Sequence, residues 1–418
     1  MTSRYSAANR SAPSGAPLAP LPARVGFGAT LALAMGIGPL ALYALSALSP
    51  FVIEDLGLTR TQFGSLATTS FAVAAVSSGL GGRAIDRVDG RRALYLLFTT
   101  SAIALAATAA APTYVWLLLA VAISGASQSL SNPVTNHLIA ANVVPGRRGL
   151  LMGTKQSGVQ MSQFVAGAAL PPVALTLGWR GAAAVAVVVA LLGLLLVPAT
   201  VPARQVDVHA PQAGADAVSQ KLPSSVWWLT SYAFLIGAAL QATNVYMPLY
   251  AYESVGLSAA VAGTTTGLMG AIGLASRIGW GQLAERVGDP QRPLTALALG
   301  AAGGVVALAA AGPGTEALVW VGAAIHGATA LAANVVVMLG VIQAAPARHV
   351  GRATGLLAVG LYLGFAAGPL AFGALADRTG GYRPGWLVLV CVYLVATLLI
   401  RAWVRLRPDA PSTSTIER

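Results

Sequence analysis

Two positively charged side chains stand inside long apolar stretches of the sequence. Lys155 lies in the run GTKQSG and Arg277 in the run SRIGWG. A guanidinium can hold a carboxylate through two parallel hydrogen bonds, and an ammonium attracts the same group as a point charge. None of the 13 Asp and Glu residues falls in the middle of an apolar stretch, so the sequence supplies no counter-ion there. The two cations therefore predict a site for an anion from outside the chain.

The composition indicates that these stretches lie in lipid. The chain has 418 residues, of which 56% are hydrophobic and 9% charged, and its mean hydropathy is +0.72. A soluble chain carries roughly 25% charged residues. The net charge of +12 is spread over short segments without interleaved aromatics, which argues against a nucleic-acid partner. Cys391 is the only cysteine and lies in an apolar run, so we expect no metal centre and no cofactor.

Apolar runs interrupted by Gly, Pro and charged residues predict twelve membrane spans. The runs do not alternate as barrel strands do, so the spans are helices and the fold class is an all-α integral membrane protein. The predicted spans cover residues 27–49, 62–82, 92–111, 114–141, 150–172, 180–200, 226–251, 259–281, 293–311, 316–343, 351–374 and 384–405.

The distribution of Lys and Arg predicts the orientation. With a cytoplasmic N-terminus, the outer segments carry only Arg60, Arg180, Arg378 and Arg383, and the other cations outside the spans fall on cytoplasmic segments. Positive residues favour the cytoplasmic side, so we expect a multi-pass protein of the cell inner membrane with both termini inside.

A polar stretch with several prolines, 201–225, separates six spans from six. We interpret it as a cytoplasmic linker between an N-terminal six-helix bundle, 25–200, and a C-terminal one, 226–407. Residues 1–24 and 408–418 are expected to be disordered tails.

The two halves also resemble each other in sequence. Gly125 and Asn132 recur as Gly327 and Asn334 at one common offset. A repeat of six helices in the same direction predicts a pseudo-twofold axis along the membrane normal and a substrate site near the midplane between the halves.

A charged island follows one span in each half. The first island, GRAIDRVDGRR, follows the second span, and the second island, GQLAERVG, follows the eighth. The first fits the form G-x-x-x-D-R-x-G-R-R through Gly82, Asp86, Arg87, Gly90, Arg91 and Arg92, and the second contributes Gly281, Glu285, Arg286 and Gly288. With these motifs and twelve spans, the chain resembles the major facilitator superfamily. The resemblance implies two pseudo-symmetric six-helix bundles and secondary transport.

The resemblance implies that the islands form a gate. Asp86 would face the N-terminus of the eleventh span near Gly351 and hold the cytoplasmic side closed, since a carboxylate is stabilised at a helix N-terminus by about 0.3–1 kcal/mol. The arginines could instead only anchor the topology. One feature departs from the pattern: Asp89 adds a residue before Gly90, and the sequence offers no role for it.

The placement of Arg277 four residues before Gly281 resembles monocarboxylate and oxalate/formate transporters, whose arginine in this span contacts a substrate carboxylate. The run KQSG resembles cyanate-type permeases. Drug exporters of the superfamily often use membrane-embedded acids and a Gly-Pro run in the fifth span, and neither is present here. Lys155 could instead have no role in substrate binding. It is only about five residues into its span, so its amine could reach the membrane interface.

Other polar side chains within the spans could complete the pocket or hold helices together. The candidate substrate-binding residues beside the two cations are Tyr43, Asn132, Gln156, Asn244, Asn334 and Tyr362. His326 lies roughly 15 Å deep by helix rise, and an imidazole titrates near neutral pH, so it is the candidate for proton coupling. A packing role is the alternative for such a histidine.

We therefore predict a monomeric transporter of a small anion, most simply an organic carboxylate, that works by alternating access with proton coupling or by exchange. Proton-coupled export of drugs or metabolites is the alternative, and a non-transporting membrane protein is a third. No nucleophile–base pair or metal cluster indicates an enzyme.

Overall fold

The structure is a computed structural model that describes residues 21–85, 88–144, 147–202, 222–346 and 349–406. Every regular element in these ranges is a helix. The helices, in chain order, are α1 (Leu21–Ala47), α2 (Ser49–Leu56), α3 (Arg60–Ile85), α4 (Gly90–Ala109), α5 (Tyr114–Asn142), α6 (Arg148–Thr200), α7 (Ser224–Glu253), α8 (Ala259–Val287), α9 (Gln291–Ala310), α10 (Ala317–Ala344), α11 (Val350–Thr379) and α12 (Arg383–Leu406).

Helix α6 contains two of the predicted spans. Its backbone leaves the helical region at Gly178, where φ is 67° and ψ is 171°, so the helix is broken there. A side chain with a Cβ disfavours this positive φ, and glycine adopts it freely. The predicted loop between the fifth and sixth spans is therefore a single-residue break. The short helix α2 follows α1 on one side of the molecule, and the predicted twelve crossings are all found as helices.

Helices α3 and α7 lack the long apolar stretch that the other long helices contain. Within the described part of the chain, nine helices are long and apolar enough to cross a membrane by length and composition, and these two are not among them. Both pack against helices on more than one side, because α3 contacts α5 and α11 while α7 contacts α11, α12 and α10. A helix that is covered by other helices needs less apolar surface than one that faces lipid.

The helices pack as two bundles that meet along two seams. Helices α1 and α3 to α6 pack among themselves, as do α7 to α12, and the bundles meet where α3 contacts α11 and where α6 contacts α8. The internal repeat is visible in the packing. Gly125 of α5 lies against the backbone of Ser70 in α3, and Gly327 of α10 lies against Met269 in α8. These helix pairs occupy equivalent places in the two halves, which confirms the pseudo-symmetric arrangement.

One end of the molecule is closed across both seams. We call it the Arg60 end, after the first residue of α3. Here Thr61 of α3 donates to Asp377 of α11, and α6 approaches α8 so closely that a methyl group on Gly167 would overlap the backbone of Gly267. Nearer the midplane, the Thr68 hydroxyl donates to the Ala366 carbonyl at 2.6 Å.

The opposite end, where α3 and α8 finish, is open among the described residues. We call it the island end. Gly149 and Gly153 near the start of α6, and Gly351 and Gly355 near the start of α11, have no neighbouring atom within 4 Å of the position a Cβ would take. The described hydrogen bonds between the halves all lie at the midplane or toward the Arg60 end. The structure therefore shows a conformation that opens at the island end.

The second island differs from the predicted loop. Helix α8 continues through Gly281, Glu285 and Arg286 and ends at Val287, followed by Gly288 with a positive φ of 69°. Arg286 in the last turn suits the negative end of the helix dipole, which favours continuation of the helix beyond the apolar run. The helix thus continues about two turns past residue 281, where the predicted span ends.

Candidate functional site

Arg277 lies at the seam between α8 and the first half of the chain. Its Nε atom donates to the Leu331 carbonyl of α10 at 3.0 Å, which holds the planar group in place. Its two terminal nitrogens have no hydrogen-bond partner among the described residues, and the side chain is only partly buried. No described Asp or Glu forms an ion pair with it. The exposed edge of the guanidinium is therefore available to a carboxylate or another oxyanion.

Tyr43 lies on α1, a helix of the opposite half that contacts the Arg277 helix α8. Tyr43 is 8% exposed and its hydroxyl forms no hydrogen bond with the described residues. The hydroxyl is a second donor that an oxyanion on Arg277 could use.

The pairing of α6 with α8 places Gln156 opposite Arg277. The two helices run antiparallel, because Phe164 lies beside Gly270 and Gln160 lies beside Gly273. Continuing this register toward the island end by one turn brings Gln156 to the level of Arg277. Gln156 is exposed there, so its amide faces the space between the halves.

Further amides lie in the same seam, one and two turns closer to the Arg60 end. Gln160 and Gln163 of α6 are fully buried, and Gln163 donates to the side chain of Asn244 in α7 at 3.4 Å. The Ser46 hydroxyl of α1 donates to the Asn244 carbonyl at 2.5 Å. Asn244 thus contacts two helices of the other half, and four helices meet at this polar cluster.

Lys155 is only 1% exposed and is held by α5. Its amine donates to the side-chain oxygens of Asn132 at 3.2 Å, Thr135 at 3.0 Å and Asn136 at 2.5 Å. All three ammonium protons therefore have neutral acceptors within the first half. Asn132 and Asn136 are exposed and form the surface that lies over the charge. A substrate near them would feel the positive charge of Lys155 without direct contact to the amine.

The remaining candidates lie further from Arg277. Asn334 of α10 follows Leu331 by three residues and is partly buried, with no hydrogen bond to the described residues. Tyr362 of α11 stacks on Phe71 of α3 with ring centroids 6.1 Å apart, and Phe71 also contacts Phe365 at 4.8 Å. This aromatic contact lies in the seam between α3 and α11. The predicted substrate-binding residues thus lie in three places: near Arg277, near Lys155, and in the seam between α3 and α11. Their role in substrate binding stays a prediction.

His326 of α10 is completely buried. Neither ring nitrogen has a hydrogen-bond partner among the described residues. Buried polar atoms are nearly always paired, and both ring nitrogens of this histidine can still take a hydrogen-bond partner. Its predicted role in proton coupling stays a prediction.

The first island is described only in part. Asp86 and Arg87 lie outside the described residues, and Gly82 lies in the last turns of α3. Asp89, the additional residue, is the N-cap of α4: its carboxylate accepts the Arg92 backbone N–H at 3.4 Å. The insertion thus starts α4 at Gly90, since Asp is among the favoured N-cap residues.

The basic side chains of the islands that the structure describes are exposed, except for the partly buried Arg91. Arg91 donates to the Pro198 carbonyl near the end of α6 at 2.6 Å, which joins α4 to α6 within the first half. Arg92, Glu285 and Arg286 are exposed. The gating role of both islands stays a prediction.

A latch at the Arg60 end was not predicted from the sequence. The Arg60 guanidinium contacts Glu253 of α7 at 2.7 Å, and the Tyr382 hydroxyl donates to the same carboxylate at 2.8 Å. Burial raises the pKa of Tyr382, so its hydroxyl stays protonated as a donor. The Tyr246 hydroxyl of α7 donates to the Arg60 carbonyl at 2.5 Å. Arg60, Glu253 and Tyr382 each lie at a helix end, where the sequence alone indicates only topology.

Comparison with known proteins identifies the family. A family model described as the Major Facilitator Superfamily matches residues 31–351 and, in a second match, residues 294–418. The chain is 30% identical over 400 residues to a Mycobacterium tuberculosis protein named probable nitrate/nitrite transporter NarK2, and the match covers 89% of this chain and 95% of that protein. It is also 26% identical to the hexuronate transporter of Bacillus subtilis over a match of 154 residues. That match covers 37% of this chain and only 36% of that protein.

Solved structures show the same fold. The chain superposes with a TM-score of 0.73 on a bacterial homolog of the human lysosomal transporter Spinster in an inward-facing and occupied conformation, at 16% identity and with 94% of this chain and 100% of that chain covered. The nucleoside transporter NupG gives a TM-score of 0.71 at 14% identity, with 92% and 100% covered. The resemblance drawn from the islands and the twelve spans is thus confirmed, and the chain is a multi-pass membrane transporter that belongs to the major facilitator superfamily.

Proposed function

We propose that this transporter moves a small anion, most simply an organic carboxylate, across the cell inner membrane. The observation that carries the proposal is the Arg277 guanidinium, whose two terminal nitrogens face the seam without a partner among the described residues. A positive group that is partly withdrawn from water is costly to keep in a membrane protein unless it has a function. A bound oxyanion supplies the missing hydrogen-bond acceptors and the missing negative charge.

The charge distribution around the seam supports an anion rather than a cation. Lys155 adds a second positive charge, and the carboxylates with described ion pairs, Asp55 and Glu253, lie at the Arg60 end. The names of two relatives point the same way, since nitrate, nitrite and hexuronate are all anions. A lipophilic cation, the usual cargo of a drug exporter, would find no acid at this depth among the described residues.

We propose that transport follows alternating access between the bundles 25–200 and 226–407, joined by the linker 201–225. The island end would face the cytoplasm, because the positive residues of the chain concentrate there. Closing that end along the α6–α8 register would bring Gly153 to Gly281 and bury Arg277 with its ligand. Asp86 would then approach the start of α11 near Gly351, as a carboxylate at a helix N-terminus.

Uptake by the purified full-length protein in proteoliposomes tests the proposal. We expect Arg277→Gln to raise the KM for a radiolabelled carboxylate at least tenfold, because the substitution removes the charge and the paired donors. Arg401→Gln is the matched control, since Arg401 is an exposed cation of α12 away from both seams. Unchanged uptake by a folded Arg277→Gln protein would contradict the anion site.

The same protein separates the two transport alternatives. A thermal-shift series with small carboxylates and with lipophilic cations reports which class binds, because a ligand of the folded state raises the unfolding temperature. Stabilisation by carboxylates alone is expected. Stabilisation by the cations alone would instead favour export of drugs.

A further inference from the structure

Three buried amides in the α6–α8 seam have hydrogen-bonding atoms without partners. Gln160 and Gln163 are 0% exposed and Asn244 is 2% exposed. Among the described residues, neither amide atom of Gln160 has a partner, and the same holds for Oε1 of Gln163 and Nδ2 of Asn244. Buried polar atoms of this kind are paired in the great majority of proteins. The cluster therefore has hydrogen-bonding capacity for a ligand.

The number of unpaired acceptors does not depend on how each amide is oriented. Turning the Gln160 amide exchanges its oxygen and nitrogen, and both remain without a partner. Turning Gln163 and Asn244 together preserves their mutual hydrogen bond and again leaves one oxygen and one nitrogen unpaired. In every orientation the cluster offers at least two carbonyl oxygens that need a donor and two amide groups that need an acceptor.

The spacing along α8 relates the amides to Arg277. Gln160 lies beside Gly273, one turn from Arg277, and Gln163 lies near Gly270, seven residues from Arg277. At ~1.5 Å per residue these levels are about 6 Å and about 10 Å from the guanidinium. Arg277 is partly buried and Gln160 is fully buried, so a ligand on Arg277 meets Gln160 only after the Gln160 side chain turns toward the island end.

We infer that the anion is a hydroxylated carboxylate, that is, a hydroxy acid or a sugar acid. This inference rests on the proposed anion site and specifies its substrate class. A bare oxyanion such as nitrate only accepts hydrogen bonds, so it leaves the carbonyl oxygens of Gln160 and Gln163 unpaired. A hydroxyl group donates and accepts, so it satisfies a whole amide. The carboxylate occupies Arg277, the first hydroxyls meet Gln160, and a longer polyol chain extends to Gln163 and Asn244.

Matched ligands test this inference on the wild-type protein. Propionate, lactate and glycerate have three carbons and one negative charge each, and they differ in having no, one and two hydroxyl groups. We expect thermal-shift titration of the purified full-length protein to give a Kd for glycerate at least about tenfold below that for propionate, because an unmade hydrogen bond to a buried acceptor is costly. Glucuronate, which is long enough to reach Gln163, should bind more tightly again, and nitrate should bind no better than propionate.

A substitution of Gln160 tests whether its amide causes the preference for hydroxylated carboxylates. Gln160→Leu should bring the Kd values of glycerate and propionate together and leave the propionate value nearly unchanged, since Arg277 still holds the carboxylate. Gln163→Leu serves in its place if the first variant does not fold, and it should lose only the gain of glucuronate over glycerate.

The outcomes separate this inference from the anion site itself. Equal binding of propionate, nitrate and glycerate by the wild type, with loss of all three in Arg277→Gln, would overturn the hydroxyl preference and leave the anion site intact. That result would mean that water satisfies the amides. Absence of any carboxylate binding by the wild type would contradict the proposed function as a whole.

Discussion

Asp377 at the end of α11 accepts the backbone N–H of Thr61, in the first turn of α3, at 2.8 Å. A second hydrogen bond, from the Arg60 N–H at 3.1 Å, joins the same carboxylate to the same helix end. The carboxylate thus caps a helix of the other bundle, more than three hundred residues away in sequence. A side-chain cap stabilises a helix end by roughly 0.5–2 kcal/mol. Here that free energy also holds the two halves together at the Arg60 end.

Removing this cap should loosen the Arg60 end. We expect Asp377→Ala to lower the ratio of closed to open Arg60 ends about fivefold, which corresponds to about 1 kcal/mol. Spin labels at Leu175→Cys in α6 and Val261→Cys in α8, both exposed positions near this end, report the separation of the halves once Cys391 is replaced by Ser. A second, longer distance should appear.

Glu54→Ala is the control for the cap, because Glu54 is an exposed carboxylate of α2 at the same end. Its distance distribution should match that of the parent protein. An unchanged distribution in Asp377→Ala would mean that the ion pair of Arg60 with Glu253 suffices to hold the end closed.

Gly167→Ala should separate the α6–α8 seam at the same end. The added methyl group would overlap the backbone of Gly267, and backbone cannot move aside as a side chain can. Overpacking of this kind costs about 1–3 kcal/mol, so the closed Arg60 end should lose most of its population. Gly303→Ala is the control, since a methyl group there meets open space. The same pair of spin labels measures both, and a retained short distance in Gly167→Ala would show that the seam adjusts elsewhere.

Lys155→Gln should weaken substrate binding without abolishing it. The amine donates to Asn132, Thr135 and Asn136, so its effect on a substrate comes through the electric field. We expect the KM of carboxylate uptake to rise about fivefold, which is less than the rise of at least tenfold expected for Arg277→Gln. Thr135→Val removes one of the three acceptors and keeps the charge, so its KM should stay unchanged. A KM that responds equally to both variants would assign Lys155 a packing role.

His326→Gln should separate proton coupling from substrate movement. The ring is buried and has no partner among the described residues, so it can take up or release a proton only by a path that opens during transport. We expect the variant to lose accumulation driven by a pH gradient and to retain exchange of labelled for unlabelled substrate. His137→Gln, near the island end, should leave both activities intact. Accumulation that persists in His326→Gln would leave the histidine a packing residue.

The length and apolarity of the runs were sufficient to predict the helices, because each crossing must satisfy its backbone within one segment. Helix α5, predicted over 114–141, spans Tyr114–Asn142. A loop was predicted where the structure has a one-residue break at Gly178. An apolar stretch with a single glycine does not distinguish the two. The extension of α8 to Val287 was missed because charged residues can continue a helix beyond the membrane surface.

The site was predictable only where one residue type is unusual in its surroundings. Arg277 stands out because a cation in an apolar run has few explanations. Gln163 does not stand out in sequence, although its position three residues after Gln160 places both amides on one face of α6. The contact of Asp377 with Thr61 depends on which helix ends meet across the bundles. The sequence predicts only that both residues lie at the outer side. The capping role of Asp89 was missed because it depends on where α4 begins.

The two interior cations have a consequence for the energetics of the transport cycle. On the proposed mechanism, the unloaded carrier moves Lys155 and Arg277 within the electric field whenever the bundles change state, with no acid at the same depth to compensate them. A potential of 100 mV changes the free energy by about 2.3 kcal/mol for each elementary charge that crosses the whole field. A bound monoanion cancels one of the two charges, so the loaded carrier responds less to voltage than the empty one. Net uptake of a monoanion without a proton includes the empty return step and should therefore be rheogenic and voltage-dependent, whereas uptake with one proton per monoanion moves no net charge. One-for-one exchange should be nearly electrically silent.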